Sequence, residues 1–389
     1  MTPFESLRTE ARLAPESGIV AVMNHGRRRE GIIPLWAGEG DLPTPDFIRK
    51  AGADALLAGE TFYTWQRGIP ELREALARYH SRHFSTKLTE DNFLVTGSGM
   101  QSIQLALQAV AGHGDEVVYF SPAWPNFAAA ARICGAKAVA VQLDIGKNGW
   151  TLDIEKLKAS ITSRTKAIFI NSPSNPTGWT ADKETLRDIL KLARKHGIWI
   201  IADEIYALFS YSNKRAASFL DIMDPEDRVI FVNSFSKNWA MTGWRIGWLT
   251  VHPNLAQVFE NLIQYSTSGV AQFMQKGAVV ALDHGDDFIE MQVSRARQAR
   301  DILCDALAST GKAQVIPPDG AFYLFFGLDG ISDSMSAAFS MVDQANIGVA
   351  PGAAFGNGAD SYFRICFNRK LDDIRTAADR LADWVGKNA

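Results

Sequence analysis

The chain has 389 residues, of which 47% are hydrophobic and 21% are charged, the composition of an ordinary globular protein. Its length exceeds that of one ordinary core and predicts two domains. A formal net charge of -3 at pH 7 gives no indication of a nucleic-acid or membrane partner, and no apolar run approaches the roughly 20 residues that span a bilayer.

The N-terminal segment, residues 1–33, has the pattern of an amphipathic helix that ends in basic residues. It lacks the apolar core of a secretion signal. Three widely spaced cysteines, Cys134, Cys304 and Cys366, form no disulfide or metal-binding pattern. We therefore expect buried free thiols, no metal site and a cytoplasmic protein, because free thiols persist in a reducing compartment.

After this segment, irregular stretches rich in glycine and proline alternate with helices. The irregular stretch of residues 35–45 precedes a predicted helix over residues 46–58, which begins with a capping aspartate. A loop over residues 62–69 leads into a second predicted helix, residues 71–80, which Pro70 opens.

Between residues 92 and 251, short apolar runs alternate with amphipathic helices. The clearest helix covers residues 182–196, in which four apolar residues from Leu186 to Ala193 are spaced for one face. This alternation predicts an α/β fold with a mainly parallel sheet and helices on both faces. The predicted strands are residues 93–95, 116–120, 137–143, 166–170, 198–202, 228–232 and 246–251.

After about residue 283 the pattern becomes that of a smaller α+β unit that begins with a long helix. We expect residues 1–45 to join this small domain, residues 46–285 to form the large domain, and residues 286–389 to form the small C-terminal domain. The predicted elements of the small unit are helices over residues 288–308, 336–344 and 371–384, and strands near residue 315 and over residues 321–326 and 362–367.

Polar and aromatic residues follow four of the predicted strands at the point where each strand ends. Each of these residues, taken alone, is common outside functional sites, but their order along the chain is informative. Because ligands bind beyond the carboxyl ends of parallel strands, we expect these side chains to share one site. They are Trp124 after residues 116–120, Asn175 after residues 166–170, Asp203 and Tyr206 after residues 198–202, and Ser234, Ser236 and Lys237 after residues 228–232.

Lys237 is the residue whose chemistry defines the predicted site. Burial at the end of a strand lowers the pKa of a lysine, and its neutral amine is then a nucleophile or base. Hydroxyl groups, a guanidinium and backbone N–H groups at a helix start bind phosphate. An amine beside a phosphate site indicates a cofactor with an aldehyde and a phosphate, pyridoxal phosphate. The predicted phosphate ligands are Ser234, Ser236, Arg245 and the backbone of Gly99 and Met100.

The remaining strand-end residues suit the ring of this cofactor. Trp124 offers a flat surface on which a pyridine ring can stack. The carboxylate of Asp203 keeps a ring nitrogen protonated beside it. Asn175 and Tyr206 carry hydrogen-bond donors for the ring oxygen.

These residues resemble a known family over nearly the whole chain, the class I/II aminotransferases, which are aspartate-aminotransferase-like enzymes of fold type I that use pyridoxal phosphate. That resemblance implies a mainly parallel seven-stranded sheet with helices on both faces and a smaller α+β domain. The motifs that carry the resemblance are Ser234-x-Ser236-Lys237, Arg245 in Thr-Gly-Trp-Arg-Ile-Gly, Asn175-Pro-Thr-Gly, Asp203-Glu-x-Tyr206 and Tyr63-Thr with Gly68-x-Pro-Glu-Leu-Arg.

The resemblance also implies roles for individual residues. Lys237 would form an aldimine with the cofactor and move the proton, assisted by Asp203 and Tyr206. Tyr63 would reach the phosphate of a neighbouring subunit, so that the active enzyme is a homodimer with shared sites. The segment of residues 265–269 resembles another part of that interface. The implied substrate-binding residues are Gly38, Trp124, Asn175 and Arg364, of which Arg364 would pair with the substrate carboxylate.

Three departures from the family pattern concern the support of the ring and the choice of substrate. Phe127 stands where aspartate aminotransferases have a histidine that supports the ring-binding aspartate, and Met100 replaces a hydroxyl residue. We find no convincing counterpart of the second arginine that binds the side-chain carboxylate of a dicarboxylic substrate. Arg67 is a candidate for this role, although a charge at the rim or at an interface is the simpler interpretation of Arg67. An apolar or aromatic side-chain pocket is the alternative, and its candidate residues are Trp36, Trp65 and Phe355.

The sequence therefore predicts an aminotransferase that moves an amino group between an L-amino acid, whether aspartate, aromatic or other, and a 2-oxo acid by ping-pong chemistry. One alternative is a cysteine-S-conjugate-type β-lyase on the same scaffold, because the motifs bind the cofactor without fixing which bond breaks. Another is a non-catalytic sensor that retains the fold. The presence of Lys237 and the lack of a DNA-binding module in these 389 residues argue against the sensor.

Overall fold

The computed structural model describes residues 2–147 and 149–389. The α-helices are α1 (Thr9–Arg12), α2 (Gly18–Gly26), α3 (Asp46–Leu57), α4 (Pro70–Phe84), α5 (Gly99–Val110), α6 (Pro125–Ile133), α7 (Ile154–Ser160), α8 (Lys183–His196), α9 (Phe235–Asn238), α10 (Ala256–Gln264), α11 (Gln272–His284), α12 (Asp286–Ser309), α13 (Ser334–Ser340) and α14 (Leu371–Asn388). The β-strands are β1 (Ile33–Pro34), β2 (Phe93–Thr96), β3 (Glu116–Ser121), β4 (Lys137–Gln142), β5 (Asp144–Gly146), β6 (Gly149–Thr151), β7 (Thr165–Asn171), β8 (Trp199–Asp203), β9 (Val229–Ser234), β10 (Gly247–Thr250), β11 (Ala313–Gln314), β12 (Tyr323–Leu328), β13 (Ile347–Gly348), β14 (Ala350–Pro351) and β15 (Tyr362–Cys366).

The central sheet has seven strands in the order β2-β10-β9-β8-β7-β3-β4. Strands β4, β3, β7, β8 and β9 run parallel to one another. Strand β10 runs antiparallel to both β9 and β2. The prediction of a mainly parallel seven-stranded sheet is therefore confirmed, and each predicted strand lies within a few residues of an observed one.

The two faces of the central sheet are both covered by helices. Successive residues of β3 illustrate this, because side chains alternate between the faces of a strand. Val118 packs in an apolar cluster with Leu157 of α7 and Ile189 of α8. Val117 packs on the other side, in a cluster with Phe127 of α6 that also contains apolar residues of α5 and α10.

A second, smaller sheet has the strand order β11-β12-β15-β14 and is antiparallel. Helices α12 and α14 pack together and share an apolar core with β12 and β15. The N-terminal strand β1 pairs in parallel with β13, which brings the N-terminal segment to the C-terminal third of the chain.

The prediction of one amphipathic helix over residues 1–33 is wrong, because two short helices, α1 and α2, stand in its place. Pro15 lies between them, and a proline has no N–H group with which to continue a helix. Ser17 then begins α2, where its hydroxyl accepts a hydrogen bond from the Val20 N–H at 3.4 Å.

The three cysteines are free thiols. Cys304 and Cys366 are buried as predicted, whereas Cys134 is partly exposed. Within residues 2–147 and 149–389, no helix has both the length and the apolar character needed to cross a membrane. The same residues contain no cluster of three or more His, Cys, Asp or Glu side chains that could hold a metal ion.

Candidate active site

The carboxyl ends of four neighbouring strands, β3, β7, β8 and β9, meet at one edge of the central sheet. Trp124, Asn175, Asp203 and Lys237 lie at or just beyond these ends and line a single cavity of about 320 Å³. Four short local patterns, each at a strand end, are thus brought together by the parallel sheet.

Lys237 lies in the one-turn helix α9 directly after β9. Its Nζ donates a hydrogen bond of 2.6 Å to the backbone oxygen of Gly38. Burial lowers the pKa of the Lys237 amine to about 8, because a low-dielectric environment disfavours the charged form. The neutral, reactive fraction of this amine near neutral pH is therefore larger than that of an ordinary lysine.

Asp203 ends β8 and is 2% exposed. Burial raises the pKa of its carboxyl group to about 7, against the lowering effects of the Ile205 N–H and the Lys237 charge. Its backbone oxygen accepts a hydrogen bond from Asn171 Nδ2 at 3.2 Å. A buried carboxyl group that is poorly solvated favours a positively charged ring nitrogen as its neighbour.

Phe127 stands at the position that corresponds, by the resemblance, to a supporting histidine of aspartate aminotransferases. Its ring stacks on Phe169 at 3.7 Å between centroids, inside the apolar core on one face of the sheet. The side chain of Phe127 has no polar atom, so it cannot supply the hydrogen bond that a histidine would. The Asp203 carboxylate accepts a hydrogen bond of 3.3 Å from the Ile205 N–H, whereas Asn171 donates to the backbone oxygen of Asp203.

Tyr206 is buried, and its hydroxyl group forms a 2.7 Å hydrogen bond with the hydroxyl of Tyr323 from β12. Both tyrosines line the cavity. A side chain added at Gly38 would collide with the Tyr323 hydroxyl. The close approach of Gly38 therefore depends on its lack of a Cβ atom.

Arg364, at the centre of β15, is 2% exposed and held from several directions. Its Nη1 donates to Asn175 Oδ1 at 3.1 Å, and its Nη2 donates to the backbone oxygen of Trp36. Its Cζ lies 4.8 Å from the ring centroid of Tyr323 and 5.1 Å from that of Phe355. Its Nε is buried and has no hydrogen-bond partner among the residues described, and Arg364 itself lines the cavity.

The two predicted phosphate-binding serines form a compact group at the end of β9. Ser234 Oγ lies 2.9 Å from Ser236 Oγ and accepts a 3.1 Å hydrogen bond from the Ser236 N–H. Gly99, the first residue of α5, is packed so closely that a Cβ atom there would lie 3.2 Å from Ser234 Cβ. Two hydroxyl groups therefore meet a helix N-terminus, an arrangement that binds anions.

Neither this serine pair nor the predicted ligands Arg245, Met100 and Tyr63 are among the residues that line the 320 Å³ cavity. Arg245 is exposed, and its Nη1 donates to the Thr242 oxygen at 2.7 Å. The Met100 side chain lines a neighbouring cavity of about 780 Å³. Tyr63 is 92% exposed and is not part of the 320 Å³ cavity lining within the chain described here.

Sequence reasoning missed two contributions to the cavity. One is Tyr323, and the other is helix α2, from which Ile19, Val20 and Met23 line the cavity. Neither carries a local signal, since a tyrosine in a strand and apolar residues on a short helix are ordinary core features. Of the proposed apolar pocket residues, Trp36 lines this cavity, whereas Trp65 is not among its lining residues.

The sheet and the residues at its edge define the class of fold type I enzymes that use pyridoxal phosphate. The sequence profile of the family described as aminotransferase class I and II matches residues 30–381, and the chain belongs to that family. It is a pyridoxal-phosphate-dependent aminotransferase, which confirms the function and the cofactor expected from the sequence.

Similar proteins cover almost the whole chain. The probable aspartate aminotransferase of Methanocaldococcus jannaschii is 34% identical over 351 residues, 89% of this chain and 91% of that protein. The structure of Thermus thermophilus aspartate aminotransferase with maleate is 32% identical, with a TM-score of 0.90 and coverage of 97% and 99% of the two chains. The alanine aminotransferase from Pyrococcus furiosus is 26% identical, with a TM-score of 0.91 and coverage of 97% and 99%.

Proposed function

We propose that this cavity transfers an amino group between an L-amino acid and a 2-oxo acid, with Lys237 as the proton-transferring amine. The observation that carries the proposal is that Lys237, Asp203 and Arg364 line the same cavity of about 320 Å³. A free amine, a buried carboxyl group and a carboxylate-binding guanidinium are the groups that this chemistry requires.

The residues present fit pyridoxal phosphate. The serine pair at the end of β9, which packs against the start of α5, suits a phosphate. The poorly solvated carboxyl group of Asp203 suits a protonated ring nitrogen. When bound, the cofactor supplies an electron sink for the charge left at the substrate α-carbon. The residues that we propose to hold it are Gly99, Met100, Trp124, Asn175, Asp203, Tyr206, Ser234, Ser236, Lys237 and Arg245, together with Tyr63 from a second subunit.

The roles of the protein groups follow from their chemistry. Arg364 binds the substrate carboxylate, because it lines the cavity, Asn175 and the Trp36 backbone fix its position, and a guanidinium pairs with a carboxylate. Lys237, with its lowered pKa, accepts a proton from the substrate α-carbon and returns it during the reaction. The backbone oxygen of Gly38 accepts the hydrogen bond from Lys237. Gly38, Trp124 and Asn175 line the same cavity.

We also propose a homodimer in which Tyr63 completes the partner's site. Three exposed aromatic residues, Phe62, Tyr63 and Trp65, lie on one loop. That loop contacts the segment of residues 260–270, for example through the 2.9 Å hydrogen bond from Thr64 Oγ1 to the Val270 oxygen. Tyr265, 89% exposed, belongs to the same segment. Clustered exposed aromatic residues are typical of protein interfaces.

Two further proposals concern organisation and location. We propose that the large domain covers residues 46–285 and the small domain residues 286–389, with residues 1–45 joining the small domain. The parallel pairing of β1 with β13 supports the last assignment. We propose a cytoplasmic location, which the three free thiols support.

The absorbance spectrum of the cofactor-loaded protein, recorded with single L-amino acids, tests the proposed reaction. We expect one or more amino acids to change the visible band and a 2-oxo acid to restore it, because transamination is reversible in two halves. Release of pyruvate from a cysteine thioether without need for an oxo acid would instead indicate the β-lyase. A band that no amino acid alters would indicate a sensor, and the Lys237→Ala protein is the matched inactive control.

A further inference from the structure

We propose that this aminotransferase acts on L-amino acids with uncharged apolar or aromatic side chains in preference to dicarboxylic ones, and that helix α2 forms the wall that selects them. The inference rests on the proposed function, since it concerns the same cavity. Two observations support the inference. They are the apolar residues of α2 that line the cavity and the positions of the cations in the same cavity.

Helix α2 presents two different faces. Ile19, Val20 and Met23 line the cavity. Met23 neighbours both of the others on the helix surface, because it lies four residues after Ile19 and three after Val20. Val22 and Gly26 are buried on another side. The helix is thus fixed by one face and exposes a continuous apolar surface of three side chains to the substrate space.

Trp36 extends this apolar wall. Its side chain is 6% exposed, and its ring packs so tightly that a Cβ atom at Gly26 would lie 2.6 Å from it. Its backbone oxygen accepts a hydrogen bond from Arg364. Trp36 is therefore anchored beside the residue that we assign to the substrate carboxylate, and it lines the same cavity.

The cations that line the cavity are Lys237 and Arg364 among the residues the structure describes. Both are already assigned, one to the cofactor and one to the α-carboxylate. A second carboxylate of aspartate or glutamate would lie against Ile19, Val20 and Met23 without a cation of this subunit. Removing a carboxylate from water without a partner is strongly unfavourable.

Arg67, the candidate for reading a second carboxylate, is engaged elsewhere. Its Nε donates to Glu260 Oε2 at 2.6 Å, and its Nη2 contacts Gln257 Oε1 at 3.4 Å. Each side chain of the ion pair is about one-quarter exposed. An arginine already neutralised by a glutamate is a poor receptor for a substrate carboxylate.

The first experiment compares L-phenylalanine, L-methionine and L-leucine with L-aspartate and L-glutamate as donors to the cofactor-loaded enzyme. We expect kcat/KM for at least one apolar donor to exceed that for aspartate by about tenfold or more. Aspartate or glutamate equal to or better than every apolar donor would overturn the substrate class while leaving the proposed transamination intact.

A binding measurement separates the two proposals when turnover fails. Calorimetry of the cofactor-loaded protein with 3-phenylpropanoate and with succinate reports the side-chain preference without any reaction. We expect 3-phenylpropanoate to bind at least about tenfold more tightly, because only its phenyl group matches the apolar wall. Tighter binding of succinate would overturn the inference whatever the enzyme's activity.

A charge placed on the wall tests the role of α2. Val20 is 49% exposed, so Val20→Lys can be accommodated without disturbing a core. We expect this variant to raise kcat/KM for aspartate relative to phenylalanine by about tenfold, since it supplies the missing cation. Ala21→Lys is the matched control, because Ala21 is an exposed residue of the same helix outside the cavity lining.

The ratio should stay unchanged in Ala21→Lys. An unchanged ratio in a folded Val20→Lys protein that retains the cofactor would show that α2 does not form the selecting wall. If Val20→Lys does not fold, Ile19→Lys provides the same test from the neighbouring position.

Discussion

The amine of Lys237 has a property that can be measured in the cofactor-free protein. Its pKa is lowered to about 8 by burial, whereas an ordinary lysine titrates near about 10.4. Since only the neutral amine reacts, labelling of Lys237 by a small acylating reagent should rise with pH and level off above about 8. Peptide mapping by mass spectrometry over pH 6–11 measures this. A midpoint near 10 would contradict it, and added pyridoxal phosphate should protect the residue.

Tyr323 contacts both Tyr206 and Arg364, which lie far apart in the sequence. Its hydroxyl pairs with Tyr206 at 2.7 Å, and its ring lies 4.8 Å from the Arg364 guanidinium carbon. We expect Tyr323→Phe to keep the substrate KM within about twofold, because the ring remains over the arginine. Tyr323→Ala should raise KM by about fivefold or more, since a cation–π contact contributes roughly 1 kcal/mol.

Steady-state kinetics of the two variants show whether the ring or the hydroxyl group of Tyr323 matters for substrate binding. The cofactor spectrum checks that both variants are folded. Equal KM values in both would mean that Tyr323 does not position Arg364. A loss confined to kcat in Tyr323→Phe would place its main role at Tyr206.

Strands β9 and β10 and the start of α5 form one tightly packed junction. A Cβ atom at Gly247 would lie 2.7 Å from the Asn233 oxygen and 2.8 Å from the Gly99 nitrogen, both backbone atoms. We expect Gly247→Ala to lower the free energy of unfolding by about 1–3 kcal/mol and to weaken cofactor binding, because the helix start must shift away from the serine pair.

Gly243→Ala is the matched control for that junction, since among the residues described no atom beyond the two chain neighbours lies within 4 Å of the Cβ position. Its unfolding free energy, measured in urea, should stay within about 0.5 kcal/mol of the parent protein. Equal effects of the two substitutions would argue against a steric origin and point to glycine flexibility in the connection.

At the N-terminus, the failure of the helix prediction has a simple physical cause. Apolar spacing over residues 1–33 suggested one continuous element, but Pro15 interrupts it and Ser17 starts a new helix. The second helix, α2, contributes residues to the cavity lining.

For the molecule as a whole, the proposed sharing of sites between subunits can be tested by complementation. Lys237→Ala lacks the reactive amine, and Tyr63→Ala lacks the residue proposed to serve the partner's phosphate. Each variant alone should have strongly reduced activity. Co-expression of the two should restore activity, because one site of each hybrid dimer then contains both Lys237 and Tyr63.

Activity in the mixture no higher than in the separate variants would contradict a shared site. Co-purification of the two variants through different affinity tags provides the necessary control, since it reports whether hybrid dimers formed.

Tyr265→Glu places a charge in the proposed interface and should shift the protein toward monomer in sedimentation. Met291→Glu, on the exposed surface of α12, should leave the dimer unchanged.

The central sheet and the edge that carries the site were predictable from the sequence alone. Short apolar runs that alternate with amphipathic helices indicate a parallel sheet covered by helices. Each of these patterns reflects which local side chains are buried. Trp124, Asn175, Asp203 and Lys237 could be grouped for the same reason, since parallel strands place their carboxyl ends together.

The tertiary structure alone decided what surrounds those groups. Tyr323 meets Tyr206 across 117 residues, and Arg364 is held by Asn175 and by the Trp36 backbone from distant parts of the chain. The apolar wall of α2 joins the cavity in the same way. No local pattern encodes such contacts, because they arise from the packing of the small sheet and the N-terminal segment against the edge of the large one.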